Sequence, residues 1–393
     1  MQKKIIQGVT SSLSVLLIED QVHYIEENGY EIKVVCNNDF DKLYEDITMN
    51  NIPFEREISI GKDLSCLYRL ARYLHREKPD IINFSTPKAG LLGMIAGYLT
   101  RVKTRIYVQR GLRLETITGL KKAILYTTER LTCRFSTHVI VISDSLEQEL
   151  VQKKIVDPDK VVRIGRGSSN GIDMEKFNIA NIEEGRLASL KSDLGISPSD
   201  FIVGYVGRLT RDKGINELVE AFETLEDKYE HLKLLLVGDF EAADPVKEEN
   251  KQKIANNPSI IHHPFTDDVE YYYTLMDLFA FPTFREGFGN VSIEAQAMRV
   301  PVVTFNSTGA RDTVLPNVTG VITEDNTARG LADGLEYLIG NETIRKRMGE
   351  DARAFATENF DRKRMQKQLL DFYNSLGERE GYDVEENDHV LDT

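Results

Sequence analysis

Apolar residues in this chain follow two patterns that alternate almost from end to end. Short apolar runs are typical of buried strands, whereas apolar residues three or four positions apart are typical of helices packed along one face. Residues 64–75 show the second pattern, with Leu64, Leu67, Leu70, Ala71 and Leu74 predicted on one buried face. The regular alternation of the two patterns predicts parallel sheets covered by helices on both faces.

The predicted strands form two groups separated by a change in composition. Those of the first half are residues 4–9, 31–36, 80–84, 105–108, 138–142 and 160–164. Those of the second half are residues 201–206, 232–237, 259–262, 278–281 and 300–305. Residues 165–200 between them are rich in Gly, Ser, Asn and Asp, as a connection between domains would be. We therefore predict an α/β fold with two doubly wound domains facing each other across a cleft, residues 1–178 and residues 179–376.

The end of the chain differs from both predicted domains. Residues 377–393 hold seven acidic residues against Arg379 alone, which predicts a flexible acidic tail. We expect the helix before this tail, the last of the second domain, to pack back on the first domain.

The overall composition narrows the class of protein. With 49 Lys and Arg against 63 Asp and Glu, the net charge is −14, which excludes a general nucleic-acid binder with a basic domain. Cys36, Cys66 and Cys133 are far apart and lack metal-ligand spacing, so we expect reduced core thiols. The apolar stretch at 89–100 is too short to span a membrane, and Glu19 and Asp20 interrupt the N-terminal apolar run. We expect a cytoplasmic protein without a signal peptide.

A glycine and two cations follow the first predicted strand of the second half. Gly207 and Arg208 end that strand, and Lys213 and Gly214 precede a helix predicted over residues 215–225. Ligands of open α/β sheets bind at the carboxyl ends of strands, where two cations can neutralise a diphosphate. The alternative is a surface loop with solvated charges.

A second motif, residues 281–295, carries two carboxylates around a glycine turn. Glu286 and Glu294 flank the segment Gly287-Phe288-Gly289-Asn290-Val291, which opens a helix whose free N–H groups can bind an anion. A carboxylate only accepts hydrogen bonds, so Glu294 suits a ribose diol and Glu286 suits sugar hydroxyls. The alternatives are a charge that complements the helix dipole and a surface loop charge.

These motifs resemble those of the family 4 retaining glycosyltransferases, which have the GT-B architecture of two facing Rossmann-like domains. The matching segments also include Asn170-Gly171-Ile172-Asp173, Val237-Gly238-Asp239, Val300-Pro301-Val302 and Gly309-Ala310-Arg311-Asp312. The resemblance extends over nearly the whole chain and is most specific in residues 200–330.

The resemblance implies a role for each motif residue. Arg208, Lys213 and Glu286 are the implied catalytic residues, the two cations on the donor diphosphate and Glu286 on the transferred sugar. The implied donor-binding residues are Gly207, Gly287, Phe288, Gly289, Asn290, Val291 and Glu294. Retention of anomeric configuration is implied, without a metal or another cofactor. The expected co-substrate is a nucleotide sugar, here a UDP sugar, and the expected acceptor is a glycan or a polyprenyl-diphosphate-linked saccharide of bacterial surface polysaccharide.

The first half departs from the pattern of the family on the acceptor side. Where relatives often carry a glycine-rich loop, this chain has Ser11 and Ser12, whose hydroxyls can meet an anion or simply cap a helix. Lys88, in the segment Thr86-Pro87-Lys88-Ala89-Gly90, is a further candidate residue of the acceptor or phosphate side. Arg110 stands where a His-Gly pair is common; it cannot act as a base but can bind a phosphate or a sugar carboxylate, unless it is a surface arginine.

Residues 101–135 form a basic segment within this acidic chain. They hold nine Lys and Arg against two Glu, a local net charge of +7, with leucines and isoleucines between them. Such a segment can lie on an anionic membrane surface, which would make the enzyme peripheral on the inner face of the cell membrane. The alternative is an ordinary helix with a solvated basic face.

Two Asp-x-Asp elements, at residues 39–41 and 157–159, are the kind of motif that a metal-dependent transferase of another fold would use. Neither directly ends a long apolar strand, so we interpret Asp39 and Asp157 as cap or turn residues. His262 and His263 lack nearby carboxylates at ligand spacing, and we place them at a strand end beside the nucleotide base.

Two other functions compatible with the same architecture remain open. One is a nucleotide-sugar epimerase, which would need catalytic acids and a histidine that the sequence does not place. The other is an inactive nucleotide-sugar-binding module, suggested by the missing His-Gly pair.

Overall fold

Seven parallel strands form the first sheet, in the spatial order β3-β2-β1-β4-β5-β6-β7. The computed structural model describes residues 2–39, 46–55, 59–112, 114, 117–168 and 170–378. The strands are β1 (Lys4–Ser11), β2 (Glu31–Asn37), β3 (Met49–Asn51), β4 (Ile81–Ser85), β5 (Thr104–Gln109), β6 (His138–Val141) and β7 (Val161–Arg163). Every residue of β4 is buried, because helices cover both faces of the sheet.

The helices of this half connect successive strands of the first sheet. They are α1 (Glu19–Glu27), α2 (Ile60–Glu77), α3 (Pro87–Leu99), α4 (Gly119–Phe135) and α5 (Asp144–Gln152), with a 3₁₀ turn at Ser12–Leu17. Helix α3 lies close to the sheet because Gly90 has no side chain; a Cβ there would lie 2.4 Å from the ring of Tyr107. In the described ranges, no helix is both long and apolar enough to cross a membrane.

Six parallel strands form the second sheet, in the order β10-β9-β8-β11-β12-β13. They are β8 (Phe201–Val206), β9 (Leu232–Val237), β10 (Ile260–His263), β11 (Leu278–Phe281), β12 (Val302–Thr304) and β13 (Gly320–Ile322). The helices of this half are α6 (Glu184–Asp193), α7 (Ile215–Glu226), α8 (Glu248–Asn256), α9 (Val269–Leu275), α10 (Asn290–Ala297), α11 (Ala328–Ile339), α12 (Glu342–Phe360) and α13 (Arg362–Glu378). The two doubly wound α/β domains predicted from the sequence are confirmed.

The strand predictions are confirmed to within one or two residues at each end. The edge strands β3 and β13 were not predicted: β3 (Met-Asn-Asn) contains no apolar run, and β13 (Gly-Val-Ile) contains only two apolar residues after a glycine. The prediction for Leu64 was wrong: its side chain is 62% exposed and shares the outer stripe of α2 with Ile60 and Tyr68. The buried stripe of α2 contains Cys66, Leu70, Tyr73 and Leu74 instead.

The last helix, α13, packs on the N-terminal domain. Asn83 of β4 donates to the hydroxyl of Tyr373 at 2.6 Å, and Tyr30 donates to Asn374 at 2.7 Å. Residues 377 and 378 are the last of α13, while residues 379–393 of the predicted acidic tail lie outside the described residues. The boundary between residues 178 and 179 stays a prediction.

The chain passes between the domains at two places that lie side by side. Ile172 and Asp361 form a parallel β-bridge. The N–H of Ile172 donates to the carbonyl of Phe360 at 2.7 Å, and the N–H of Arg362 donates to the carbonyl of Ile172 at 3.0 Å. The three cysteines, Cys36, Cys66 and Cys133, are buried and free, as predicted.

Candidate active site

Two cavities lie where the strands of the two sheets end. The interdomain cavity, about 260 Å³, is bounded by the N-terminal domain through Arg110 and by the C-terminal domain through Lys213 and Glu286. The C-terminal cavity, about 520 Å³, contains Glu294 and the ends of β8 and β9. Arg208 lines both cavities, so they are neighbouring parts of one site.

The loop between β8 and α7 is held by two glycines with positive φ. Gly207 has φ +142° and its N–H donates to the carbonyl of Val237 at 2.9 Å. Gly214 has φ +74°, and a Cβ there would lie only 1.9 Å from the carbonyl oxygen of Pro282. This close approach brings the loop against the end of β11 and places Lys213 beside Glu286.

Lys213 and Glu286 form an ion pair inside the interdomain cavity. The Lys213 side chain is only 13% exposed, so its charge is poorly screened by solvent. Beside this pair, Arg285 donates to Asp212 at 2.9 Å. Desolvation acts to raise the pKa of Asp212, but hydrogen bonds from Thr210 and Arg285 outweigh it and lower the pKa. The cavity therefore contains fixed positive charge beside one carboxylate that can accept hydroxyl protons.

Arg208 is the exposed cation of the site. Its side chain is 58% exposed and pairs with Glu241 at the surface. Its backbone is fixed, since its carbonyl accepts from the Tyr205 hydroxyl at 3.0 Å. An exposed ion pair is weak, so an incoming polyanion can recruit Arg208 from Glu241.

The glycine turn before α10 is where the two domains meet. Gly289 is the N-cap residue of α10 and has φ +93°. Asn290, the first residue of α10, accepts a hydrogen bond at 3.0 Å from the hydroxyl of Ser168, which lies in the segment that connects the two domains. A Cβ on Gly287 would lie 2.2 Å from the carbonyl oxygen of Arg110, so only glycine permits this approach. The Phe288 ring is buried and packs against the ring of Phe360, with 5.1 Å between the ring centroids. This packing anchors the glycine turn to the protein core.

Glu294 lies on α10 with its carboxyl in the C-terminal cavity. The Tyr273 hydroxyl donates to its Oε2 at 3.0 Å. Desolvation raises the pKa of Glu294 to about 7, although the Tyr273 hydrogen bond and the charges of Lys176 and Arg362 act in the opposite direction. Glu294 is therefore mostly ionised above pH 7, where its carboxylate can only accept hydrogen bonds.

The rest of the C-terminal cavity is mostly apolar. Val206, Val291 and Phe265 line it, and Phe265 is exposed at its edge. His262 lies at the end of β10, where its ring bonds the carbonyl of Gly238 at 2.9 Å. The cavity thus offers an apolar floor beside Glu294, and Asp239 and Asp267 also line it. An apolar floor beside a carboxylate is what a planar ring with an attached diol would require.

On the acceptor side, Arg110 is the predicted residue that lines the interdomain cavity. Its Nη2 donates to the carbonyl of Leu17 at 3.3 Å, while its Nε is buried without a hydrogen-bond partner. Desolvation lowers the pKa of Arg110 to about 10, so it stays charged at neutral pH.

The other predicted residues of the acceptor side lie elsewhere. Ser11 and Ser12 both donate to the carboxylate of Asp39, at 2.7 Å for the Ser11 hydroxyl. Lys88 pairs with Asp63 at 2.6 Å. A carboxylate already occupies the position where the sequence suggested an anion, and the described lining of the cavity includes none of these three side chains.

The described aspartates of the Asp-x-Asp elements have hydrogen-bond partners: Asp39 accepts from the distant Ser11 and Ser12, and Asp157 has a local partner. Asp157 accepts from the N–H of Asp159 at 3.2 Å, which confirms it as a turn residue. Asp41 lies outside the described residues. Across the ranges that are described, no three His, Cys, Asp or Glu side chains converge as metal ligands would.

Several residues of the site were not predicted from the sequence. Tyr273 belongs to a run of three tyrosines, and Arg285 precedes Glu286; both could have been found by examining the neighbours of the motifs. Tyr107 and Gln109 also line the interdomain cavity. Tyr107 lies inside the predicted strand 105–108, and Gln109 directly follows it; neither was predicted as a site residue.

Two facing Rossmann-like domains, with cations and carboxylates gathered where their strand ends meet, define a glycosyltransferase of the GT-B class. Residues 16–176 match the family described as Glycosyltransferase Family 4, and residues 188–355 match Glycosyl transferases group 1. The chain belongs to the family 4 glycosyltransferases.

Similar proteins cover nearly the whole chain. The capsular polysaccharide biosynthesis glycosyltransferase CapM of Staphylococcus aureus is 37% identical over 382 residues, 96% of this chain and 99% of CapM. The UDP-Gal:alpha-D-GlcNAc-diphosphoundecaprenol alpha-1,3-galactosyltransferase of Escherichia coli is 24% identical over 322 residues, 80% of this chain and 81% of that protein. The structure of HepE from Anabaena in complex with UDP superposes with a TM-score of 0.78 at 22% identity, covering 95% of this chain and 100% of HepE.

Proposed function

We propose that this enzyme is a retaining glycosyltransferase that moves a sugar from a UDP sugar to a lipid-linked saccharide during capsular polysaccharide synthesis. The observation that carries the proposal is the position of the two cations: Arg208 lines both cavities, and Lys213 lines the interdomain cavity. The similarity to CapM supports the pathway, and the E. coli relative, whose name specifies UDP-Gal and a diphosphoundecaprenol acceptor, supports the substrate classes.

In this proposal the donor extends from the C-terminal cavity, which takes its nucleoside, to the interdomain cavity, which takes its sugar. The base and ribose occupy the C-terminal cavity, with the ribose diol on Glu294. The diphosphate lies between the N-terminus of α10 and the cations Arg208 and Lys213. The sugar then projects into the interdomain cavity, where Glu286 accepts its hydroxyl protons.

The reaction we propose breaks the bond between the anomeric carbon and the β-phosphate oxygen. The acceptor hydroxyl attacks the same face, its oxygen bonds the anomeric carbon, and its proton passes to the departing phosphate oxygen. Arg208, Lys213 and the N–H groups of Gly289, Asn290 and Val291 stabilise the charge that develops on the diphosphate. This proposal uses neither a protein nucleophile nor a metal.

The acceptor enters from the N-terminal domain in this proposal. Arg110 brings a charged guanidinium to that side of the cavity, which suits a phosphate or a sugar carboxylate. A lipid-linked acceptor carries such a phosphate, and its saccharide then extends toward Glu286.

We also propose that the outer face of α4 contacts an anionic membrane. Leu120 is 77% exposed, Ile124 is exposed as well, and Lys121 and Lys122 lie between them. Arg113 and Glu115 of the predicted basic segment lie outside the described residues. Each cation near an anionic surface contributes about 1 kcal/mol, so two reversed charges should weaken binding substantially.

Sedimentation with vesicles tests this membrane contact. The double variant Lys121→Glu with Lys122→Glu should lose binding to phosphatidylglycerol vesicles. The control carries the same charge change in the C-terminal domain, Lys228→Glu with Lys346→Glu, and should sediment like the wild type. Equal binding by all three proteins would refute the contact.

A coupled assay of UDP release tests the catalytic proposal. With UDP-galactose and GlcNAc-diphosphoundecaprenol as a first pair, then other UDP sugars, release should depend on the acceptor, and NMR of the product should show the α-anomer from an α-donor. A sugar isomer formed without UDP release would indicate an epimerase. Donor binding with neither reaction would indicate an inactive module.

A further inference from the structure

Glu129 is a buried carboxyl that the proposed chemistry does not use. It lies on the inner face of α4 and is 7% exposed, although the outer face of the same helix is basic and solvated. Its Oε2 accepts from the Tyr107 hydroxyl at 3.0 Å and from Gln109 Nε2 at 2.9 Å. Both donors come from β5 and both line the interdomain cavity.

Gln109 links Glu129 to the backbone of Gly111, at the N-terminal side of the interdomain cavity. Gln109 Oε1 accepts from the N–H of Gly111 at 3.0 Å. An ionised carboxylate only accepts, so Glu129 requires the NH₂ group of Gln109 to face it, and the carbonyl of that amide then faces Gly111. A neutral carboxyl can donate, which would allow the amide to turn its NH₂ toward the Gly111 N–H and lose that bond.

The segment from Gln109 to Gly111 forms the part of the interdomain contact that the N-terminal domain contributes. Gly111 has φ +135°, and a Cβ there would lie 3.4 Å from the Cα of Gly287. Arg110, between Gln109 and Gly111, has its carbonyl against Gly287 and its side chain on the cavity. A small rotation of this segment would therefore move Arg110 relative to Glu286.

We propose that Glu129 is a positioning residue: through Gln109 it fixes Arg110 and Gly111 against the Gly287 turn and so sets the geometry of the acceptor side of the cleft. The inference rests on the proposed function, because it assigns the acceptor to this side. It requires Glu129 in its ionised form.

The surroundings of Glu129 set the pH at which this form exists. Desolvation raises its pKa to about 7, against the lowering effect of the Tyr107 hydrogen bond. Cys133 faces it from the same helix, and Lys160, whose ammonium donates to the Cys133 carbonyl at 3.3 Å, is the cation on that side. The folded protein holds the Glu129 proton more tightly than the unfolded chain does. The contribution of Glu129 to the free energy of unfolding therefore falls as the pH rises from about 4.5 toward 7.

The test compares the wild type with Glu129→Gln at pH 8. Hydrogen exchange should show the Gly111 amide exchanging about tenfold faster in the variant, since one hydrogen bond is weakened. The Tm should rise, because a buried charge is removed; a residue with only a structural role would lower the Tm. The variant Gln109→Leu keeps Glu129 and should give the same loss of Gly111 protection.

Kinetics give the functional side of the test. With saturating UDP-galactose and varied GlcNAc-diphosphoundecaprenol, Glu129→Gln should lower kcat/KM for the acceptor about tenfold at pH 8 and leave the Kd of UDP-glucose unchanged. Because saturating donor offsets the effect of Glu294 on donor binding, the acid limb of kcat/KM for the acceptor near pH 7 should disappear in Glu129→Gln. Unchanged Gly111 exchange, or equal losses for donor and acceptor with a lower Tm, would overturn the inference. A wild type inactive on every acceptor would contradict the proposed function, while the exchange experiment would still decide the role of Glu129.

Discussion

Glu294→Gln is the most direct perturbation of the proposed donor site. The carboxylate is oriented by Tyr273 and faces the C-terminal cavity, so it should accept hydroxyl protons of the ribose diol. Glutamine keeps the size and the hydrogen bond from Tyr273 but removes the charge and one acceptor. We expect weaker binding of nucleotide sugars and a loss of pH dependence.

The magnitudes follow from the pKa of about 7. The ionised fraction of Glu294 falls from about nine-tenths at pH 8 to about one-tenth at pH 6, so if only that form binds, the apparent Kd rises about tenfold. A hydrogen bond to a charged group contributes roughly 1.5–3 kcal/mol, so the variant should bind about 10- to 150-fold more weakly at pH 8.

Titration calorimetry with UDP-glucose from pH 6 to pH 8 measures both effects. UDP-glucose is preferred to UDP, because the terminal phosphate of UDP titrates with a pKa of about 6 and would imitate the expected profile. The matched control is Glu336→Gln on α11, which removes an exposed carboxylate paired with Lys228 in the same domain. Its affinity and pH profile should equal those of the wild type.

Three results would refute this reasoning in different ways. Wild-type affinity in Glu294→Gln at pH 8 would remove Glu294 from the donor site. A flat wild-type profile between pH 6 and pH 8, with weak binding by the variant, would contradict the raised pKa but not the role. A pH profile that persists in the variant would assign the titration to another group.

Further predictions concern the cations and the domain contact. Arg208→Ala and Lys213→Ala should each lower kcat/KM by about 10- to 150-fold in the UDP-release assay, and near-normal turnover in both would contradict the diphosphate assignment. Gly287→Ala should lower kcat by about 100-fold, because its Cβ would lie 2.2 Å from the Arg110 carbonyl and force the domains apart. Gly61→Ala, where a Cβ meets nothing within 4 Å, is its control and should keep normal rates.

The fold and the donor half of the site could be predicted because their signals are local. Buried parallel strands give apolar runs that are visible without any knowledge of partners. Glu286, the glycine turn and Glu294 lie within one loop and one helix, so their spacing already determines their arrangement. Lys213 required only the general rule that strand ends of an open sheet gather at one edge.

The acceptor half could not be predicted in the same way, because its contacts join distant parts of the chain. Nothing near Ser11 or Ser12 indicates that Asp39 bonds both hydroxyls. Glu129 looks like one more acid on an amphipathic helix until β5 places Gln109 against it. Long-range pairing decides whether a polar side chain is available to a ligand, and a sequence pattern does not contain that information.

The paired crossings at Ile172 and Asp361 have a consequence for protein engineering. The C-terminal domain is an insertion between the N-terminal domain and its own last helix, α13, so a single cut cannot separate the two domains. A chimera that exchanges the donor domain with a relative needs two junctions, one near residue 172 and one near residue 361, which the bridge holds together in space. Truncation before α13 would damage the N-terminal domain, because it would remove Tyr373 and leave the buried Asn83 of β4 without that hydrogen-bond partner.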